Sequence, residues 1–206
     1  MAARLSHTDA RGQVRMVDVG GKPETDRQAI ASAAVKMAPS TLALVMGDGV
    51  DVIGAPSSKG DVLATARLAA IAALKRTAEL IPLCHPVRVV GIDVALDGDP
   101  SLPGVRVRVT VHAFDRTGVE MEAMVGAAAA ALTIYDMVKG VERGVEITAV
   151  RLEEKSGGRS GTWRRHRETE GRETEGRARA SNSSERPKAV PDKARAKLRA
   201  AKAQKG

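Results

Sequence analysis

Aromatic residues are nearly absent from this 206-residue chain, which contains one Phe, one Tyr and one Trp. A nucleic-acid platform that stacks bases needs several exposed rings, so the composition argues against one. The single cysteine excludes an intrachain disulfide framework and a zinc site built on several cysteines. Apolar runs fall short of the roughly 20 residues that a membrane span requires, and the N-terminus lacks the apolar stretch of a signal peptide. We therefore expect a cytoplasmic protein without membrane contact.

Excess charge of one sign is also absent from most of the chain. The last 44 residues contain 14 Lys and Arg against 6 Asp and Glu, whereas the first 162 contain 19 of each. From residue 164 onward the only bulky aliphatic residues are Val190 and Leu198, too few to offset the entropy of ordering. We predict a folded domain over 1–163 and a disordered tail over 164–206. The composition favours a solubilising tail over one that binds nucleic acid or another polyanion.

Hydrophobic periodicity predicts strands and helices that alternate along the chain. Glycines and prolines between them indicate loops. The order is that of an α+β fold, and we predict a ferredoxin-like two-layer sandwich with helices on one face of an antiparallel sheet. The predicted strands are Val14–Val19, Thr41–Met46, Val90–Leu96, Val105–Val111 and Val145–Leu152, the helices are Pro23–Met37, Asp61–Leu80 and Met121–Gly140, and the main loop is Gly47–Gly60.

One predicted helix contains a run of small residues, Gly126–Thr133. Small side chains permit another backbone to approach closely. The run could pack on the helix's own sheet or against a helix of a second subunit, and the sequence does not separate these interpretations.

Two polar clusters flank the helix predicted over Asp61–Leu80. Lys59 precedes it, where free N–H groups favour anions, although an ordinary helix cap with Lys59 in solvent is the favoured interpretation. Cys84 and His85 follow it between two prolines. A catalytic Cys–His pair normally comes from separate segments, so we interpret this pair as a buried cysteine beside a functional or hydrogen-bonded histidine.

Two further clusters lie at the ends of the last predicted helix. Glu120 and Glu122 would share one face of an extended segment, where they could bind an amine-rich base edge or share a proton; a solvated first helical turn fits equally well. Asp136 and Lys139 share one helical face. Spacing alone favours an exposed ion pair worth about 0.3–0.5 kcal/mol over a lysine tuned for acid–base chemistry.

The two ends of this helix are far apart. Glu122 and Asp136 would be separated by about 21 Å along its axis. One small-ligand pocket could hardly reach both in a single copy. Either one cluster alone is functional, or the site is shared between subunits.

Together these clusters resemble one family, the cyclic pyranopterin monophosphate synthases, also called molybdenum cofactor biosynthesis protein C. The resemblance runs in register from about His7 to Trp163. Matching stretches are MVDV at 16–19, KPETDR at 22–27, KGDVLATARLAAI at 59–71, KRTAELIPLCHP at 75–86, TGVEMEA at 117–123, AALTIYDMVK at 130–139 and KSGGRSG at 155–161.

The resemblance implies a ferredoxin-like homohexamer, a trimer of dimers, with active sites at subunit interfaces. It implies a lyase that converts 3′,8-cyclo-7,8-dihydro-GTP to cyclic pyranopterin monophosphate and pyrophosphate in molybdopterin biosynthesis. It implies no metal site and no required cofactor, although a divalent ion could accompany the triphosphate.

Site residues carry over by matched position. The implied catalytic residues are Asp136, Lys59 and Lys139. A desolvated lysine beside other cations has a lowered pKa and can act as a base. The implied substrate-binding residues are Leu83, Cys84, His85, Met121, Glu122, Glu120, Arg27 and Lys155, with the two cations on phosphates and Cys84 a pocket neighbour rather than a nucleophile. The longer loop before Lys59 and Arg159 in place of the usual lysine depart from the family pattern.

Overall fold

Five strands and four helices form in the part of the chain that the computed structural model describes, which is residues 6–9, 11–47 and 61–165. Lys59, most of the loop predicted over Gly47–Gly60, and the tail from residue 166 onward lie outside the described residues. In chain order the elements are β1 (Thr25–Lys36), α1 (Pro39–Met46), α2 (Val62–Leu74), α3 (Thr77–Leu80), β2 (Val89–Asp99), β3 (Gly104–Asp115), α4 (Glu120–Val138), β4 (Glu146–Ser156) and β5 (Trp163–Arg164).

The strands form one sheet in the order β2-β3-β1-β4-β5, and every neighbouring pair is antiparallel. Helices α2 and α4 pack side by side against this sheet. The predicted combination of helices with an antiparallel sheet is therefore confirmed.

The central strand contradicts the prediction of a helix over Pro23–Met37. Alternate residues of β1 from Ala29 to Val35 lie in the core beneath the helices. Ile30 and Ala34 point to the other face and are also buried, at 9% and 7% exposed. A strand that is buried on both faces does not show the alternation of apolar and polar residues. Its adjacent apolar residues therefore match the spacing expected for the apolar face of a helix.

The prediction of a strand over Thr41–Met46 is also wrong, because this segment belongs to α1. Pro39 occupies the first helical turn. Gly47 ends the helix in the left-handed region at φ 80°, with its N–H bonded to the Ala43 carbonyl. Periodicity cannot distinguish strand from helix in so short an apolar run, and the flanking proline and glycine mark the helix.

The first predicted strand, Val14–Val19, does not form either. It contributes only an isolated bridge between Thr8 and Val14. Val14 and Met16 are 73% and 44% exposed, so their alternation does not mark a buried face. The segment is instead held near its end by Arg116, whose Nη1 donates to the Gly20 carbonyl at 2.9 Å.

The helix predicted over Asp61–Leu80 forms as two helices with a corner between them. Asp61 caps α2 by accepting a hydrogen bond from the Ala64 N–H at 2.8 Å. The chain turns after Leu74, where the buried Thr77 hydroxyl donates to the Leu74 carbonyl at 2.8 Å. The short helix α3 then ends before Pro82, whose fixed φ and missing N–H oppose continuation.

The predicted hairpin of β2 and β3 is confirmed. Val94, Leu96 and the alternate valines of β3 are buried, while Arg106 and Arg108 lie on the exposed face. A bulge beside Val90 takes that residue out of the alternation and leaves it 66% exposed. The last predicted strand also forms, as the longer β4, whereas the two-residue β5 was not predicted.

The small residues of α4 pack within a single chain. A Cβ at Gly126 would lie 3.2 Å from both the Leu74 and the Val109 side chains, and Ala127, Ala130 and Ala131 are fully buried. These residues therefore serve packing against α2 and the sheet. By length and composition alone α4 could cross a membrane, but its buried face makes it the core helix of this fold.

Candidate functional site

The predicted site residues that the structure describes fall into two groups at opposite ends of α4. Strand β1 starts where β3 ends, because Thr25 pairs with Asp115, and β4 finishes beside them, because Gln28 pairs with Ser156. Helix α4 begins at this end and runs away from it. We call the first group the α4-start cluster and the second, Asp136 with Lys139, the α4-end cluster. The α4-start cluster comprises Arg27, Leu83, Cys84, His85, Glu120, Met121, Glu122 and Lys155.

Glu122 is the most buried charged residue among those described, at 3% exposed. Its Oε1 lies 3.8 Å from Cys84 Sγ, and its Oε2 is buried without a hydrogen-bond partner in the described chain. Burial raises the pKa of the Glu122 carboxyl, and the nearby Glu120 raises it further. Glu122 therefore presents an unpartnered oxygen that a bound donor group could satisfy.

Glu120 and Glu122 lie in the first turn of α4 and not in an extended segment. They consequently point in different directions: Glu120 is partly exposed beside Gly118, and Glu122 enters the core. The interpretation that both share one face of an extended segment is wrong. A solvated first turn describes Glu120 only. Met121 lies between them and is 36% exposed.

Residues Leu83–His85 form the turn that leads from α3 to β2. The Cys84 N–H bonds to the Ile81 carbonyl at 3.0 Å, and all three side chains are partly buried. Burial and the Glu122 carboxylate raise the pKa of the Cys84 thiol to about 11. At neutral pH Cys84 is therefore a thiol, a weak nucleophile, as the interpretation of a pocket neighbour requires.

Arg27 and Lys155 lie on one face of the sheet at this end, because Arg27 is two residues before Ala29, the partner of Lys155. Arg27 Nε donates to the Asp115 carbonyl at 3.1 Å. Lys155 Nζ donates to Ser160 Oγ and, at 2.7 Å, to the Gly161 carbonyl. Both cations bond here to oxygen atoms of neutral groups, so both could exchange these partners for a phosphate.

The loop that follows Lys155 is a feature that the sequence reasoning missed. Gly157 and Gly158 have φ of 92° and 69°, a region that disfavours other residues. A Cβ at Gly158 would collide with the Arg27 guanidinium, and one at Gly157 would collide with the Asp26 carbonyl. The two adjacent glycines were the available signal, and they permit the loop to lie directly on Arg27.

The α4-end cluster is an exposed ion pair in one copy of the chain. Lys139 Nζ lies 2.5 Å from Asp136 Oδ1, and the side chains are 53% and 67% exposed. The hydrogen bond and charge of Asp136 raise the pKa of Lys139. The expected lowering of a lysine pKa is therefore not found for Lys139 within a single chain, where the ammonium form is favoured.

A cavity of about 400 Å³ lies beside the buried Glu122, at the corner between α2 and α3. Its walls combine apolar side chains with the cations of the corner, and Arg76 is paired there with Glu79 at 2.8 Å. Its lining consists of Leu74, Lys75, Arg76, Thr77, Ala78, Glu79, Pro86, Val87, Val89 and Glu122. Within residues 6–9, 11–47 and 61–165, no three His, Cys, Asp or Glu residues form a group that could hold a metal ion.

Comparison with known proteins identifies the family of this chain. A model of the MoaC family matches residues 16–158. Curated cyclic pyranopterin monophosphate synthases of Brucella ovis and Brucella abortus are 51% identical over 163 residues, which is 79% of this chain and 94% of each relative. The synthase of Brucella suis biovar 1 is 50% identical over the same length. The chain therefore belongs to the MoaC family and is an enzyme of that family.

Proposed function

We propose that this enzyme acts in molybdenum cofactor biosynthesis, where it converts 3′,8-cyclo-7,8-dihydro-GTP to cyclic pyranopterin monophosphate and pyrophosphate as a lyase. The observation that carries the proposal is the identity of about half of the residues to synthases of that name, over nearly their full length. The reaction rearranges a purine-derived ring system and closes a cyclic phosphate. It therefore needs proton transfers and neutralisation of a triphosphate.

The groups of the α4-start cluster suit substrate binding. Arg27 and Lys155 are cations whose hydrogen-bond acceptors are neutral oxygens, and they would take the phosphates. Glu122 offers a buried carboxyl oxygen without a partner, which would accept an N–H of the ring system. Leu83, Cys84 and His85 would line the same pocket from the adjacent turn, together with Met121 and Glu120 from α4.

The α4-end cluster suits proton transfer. Asp136 and Lys139 form an exposed, hydrogen-bonded acid–base pair at the end of α4. In the protein as described, Lys139 is protonated and would act first as an acid. The family resemblance adds Lys59, which precedes the α2 cap Asp61. Neither a cofactor nor a metal is needed for these steps, although a divalent ion could accompany the triphosphate.

We propose that each site combines the α4-start cluster of one copy with the α4-end cluster of another. Glu122 and Asp136 are fourteen residue steps apart in one unbroken helix, which corresponds to about 21 Å. The order β-α-β-β-α-β with strands β2-β3-β1-β4 adjacent supports assignment to ferredoxin-like folds. The proposal fits a homohexamer built from dimers, in the cytoplasm.

Pyrophosphate release from the cyclised substrate tests the proposed function. Wild type, Lys59→Ala and Asp136→Ala should be compared at matched folding and oligomeric state, with Glu146→Ala as the control, since Glu146 is an exposed carboxylate on β4. We expect release by wild type and the control and almost none by the other two. A folded, oligomeric wild type that releases no pyrophosphate would refute the proposal.

The basic tail is proposed to be dispensable for this reaction. A chain that ends at residue 165 should keep turnover within a few-fold of the full chain. Binding of the full chain, but not of the shortened one, to a generic polyanion such as heparin would assign the tail a separate association role. A larger loss of turnover would contradict its dispensability.

A further inference from the structure

The turn that follows α4 contains Glu142, whose contacts have no part in the proposed reaction. Residues 139–144 join the end of α4 to β4, between the buried Val138 and Val145. The turn includes Gly140 and Gly144, and a Cβ at either would meet no atom within 4 Å. These two glycines are therefore not held in place by close neighbours, and the turn begins with Lys139.

Glu142 fastens this turn to a distant part of the chain. Both of its carboxylate oxygens accept a hydrogen bond from the Ala38 N–H, at 3.2 and 3.0 Å, across 104 residues of sequence. The Thr41 hydroxyl, which is 3% exposed, also donates to it. These bonds lower the pKa of Glu142, so the carboxylate is charged at neutral pH.

Helix α1 needs such a partner. Its N-cap residue, Ala38, has no side chain that can accept a hydrogen bond, and its first turn contains no acidic residue. Free N–H groups and the positive end of the helix dipole favour a carboxylate at this point. Glu142 accepts from the N-cap N–H, the role that a Glu at the third helical position has in a capping box, but it does so from outside the helix.

A second contact fastens the same turn to α4. The Tyr135 hydroxyl donates to the Arg143 carbonyl at 3.3 Å. The turn is thus held on one side by α4 and on the other by α1. Asp136 and Lys139 lie at the junction of these attachments, and α1 leads at Gly47 into the segment that contains Lys59.

We propose that Glu142 is a positioning residue for the reaction: by capping α1 it fixes the turn after α4, and hence the Asp136–Lys139 pair, relative to α1. This inference rests on the proposed function for its kinetic consequence. Its structural consequence, an ordered turn, does not depend on which substrate the enzyme takes.

The kinetic test compares Glu142→Ala and Glu142→Gln with Glu146→Ala, which removes an exposed carboxylate four residues away. We expect kcat of Glu142→Ala to fall roughly 10-fold to 100-fold, since misplacement of reacting groups by about 1 Å can cost that much. KM should change little, because the α4-start cluster is untouched. Glu142→Gln retains one acceptor oxygen, so its kcat should fall less than that of Glu142→Ala. Thr41→Val removes one donor at nearly the same side-chain volume, and its kcat should fall least.

Mixed oligomers separate positioning from general destabilisation. Glu142→Ala combined with His85→Ala should regain activity, because the two defects lie at opposite ends of α4. Glu142→Ala combined with Asp136→Ala should not. Equal recovery in both mixtures, or a kcat of Glu142→Ala equal to that of Glu146→Ala, would overturn the inference.

Amide hydrogen exchange tests the order of this turn directly, so its result does not depend on the proposed function. Residues 138–145 should exchange faster in Glu142→Ala than in wild type or in Glu146→Ala, while β1 and β3 remain unchanged. Unchanged exchange in this turn would overturn the inference whether or not wild type releases pyrophosphate. Absence of pyrophosphate release with faster exchange would refute the proposed substrate and leave the positioning role of Glu142 supported.

Discussion

Complementation between two inactive variants tests whether the site is shared between copies of the chain. His85→Ala removes a ring from the α4-start cluster, and Asp136→Ala removes a carboxylate from the α4-end cluster. Each variant alone should be almost inactive, because every site then lacks one of the two groups. When both chains enter the same oligomer, some sites receive an intact α4-start cluster from one copy and an intact α4-end cluster from another.

The expected recovery follows from the geometry. The separation of about 21 Å along α4 prevents both clusters of one copy from serving one small ligand. In a random equal mixture, half of the copies have an intact α4-start cluster and the other half an intact α4-end cluster. About one quarter of the sites in a symmetric assembly should then be complete, so activity should reach about a quarter of wild type.

The assay is pyrophosphate release from chains coexpressed with two different affinity tags and purified through both. Separately purified variants mixed without subunit exchange serve as the control and should remain inactive. Homogeneous oligomers of each variant should have the same size and melting temperature as wild type. Doubly tagged, folded oligomers that stay inactive would refute a shared site and require one cluster to act alone.

Three further predictions concern single side chains. Iodoacetamide should alkylate Cys84 at pH 8 roughly 100-fold more slowly than a free thiol, because a pKa of about 11 leaves little thiolate. Glu122→Gln should accelerate the alkylation, and a wild-type rate equal to that of free cysteine would contradict the raised pKa. Since burial raises the pKa of Glu122, the free energy of unfolding of wild type should fall as pH rises from the carboxyl's ordinary pKa through its folded value, by about 1.4 kcal/mol per tenfold change in proton affinity. Urea unfolding of Glu122→Gln should lack this fall, and parallel stability-against-pH curves for the two proteins would refute the prediction. Gly158→Ala places a Cβ on the Arg27 guanidinium at a left-handed φ, so KM should rise more than for Gly161→Ala, whose Cβ meets open space; equal KM values would contradict contact with Arg27.

The antiparallel hairpin and the helices around the site could be predicted because their signals are local. Val105, Val107, Val109 and Val111 alternate with polar residues because β3 has one exposed face. Asp61 marks a helix start because its carboxylate can cap free N–H groups. Such signals depend only on neighbours in sequence.

The central strand could not be predicted from the same kind of signal. Burial of β1 on both faces removes the alternation that identifies a strand, and this burial is produced by β3, β4 and the helices. Likewise, the run in α1 becomes helical through Pro39 and Gly47 and is capped by Glu142, which lies 104 residues away. Neither effect is visible in a local window.

The sequence by itself determined the family and the neutral domain with its basic tail, and it singled out the candidate site residues, because these depend on residue types in order. Only the tertiary structure decided that Glu122 is buried with an oxygen unpaired, that Arg27 lies beneath Gly158, and that Asp136 and Lys139 stand at the far end of α4. Burial, collision and distance arise between residues that are remote in sequence. They are set by how the elements pack, and a linear pattern does not contain them.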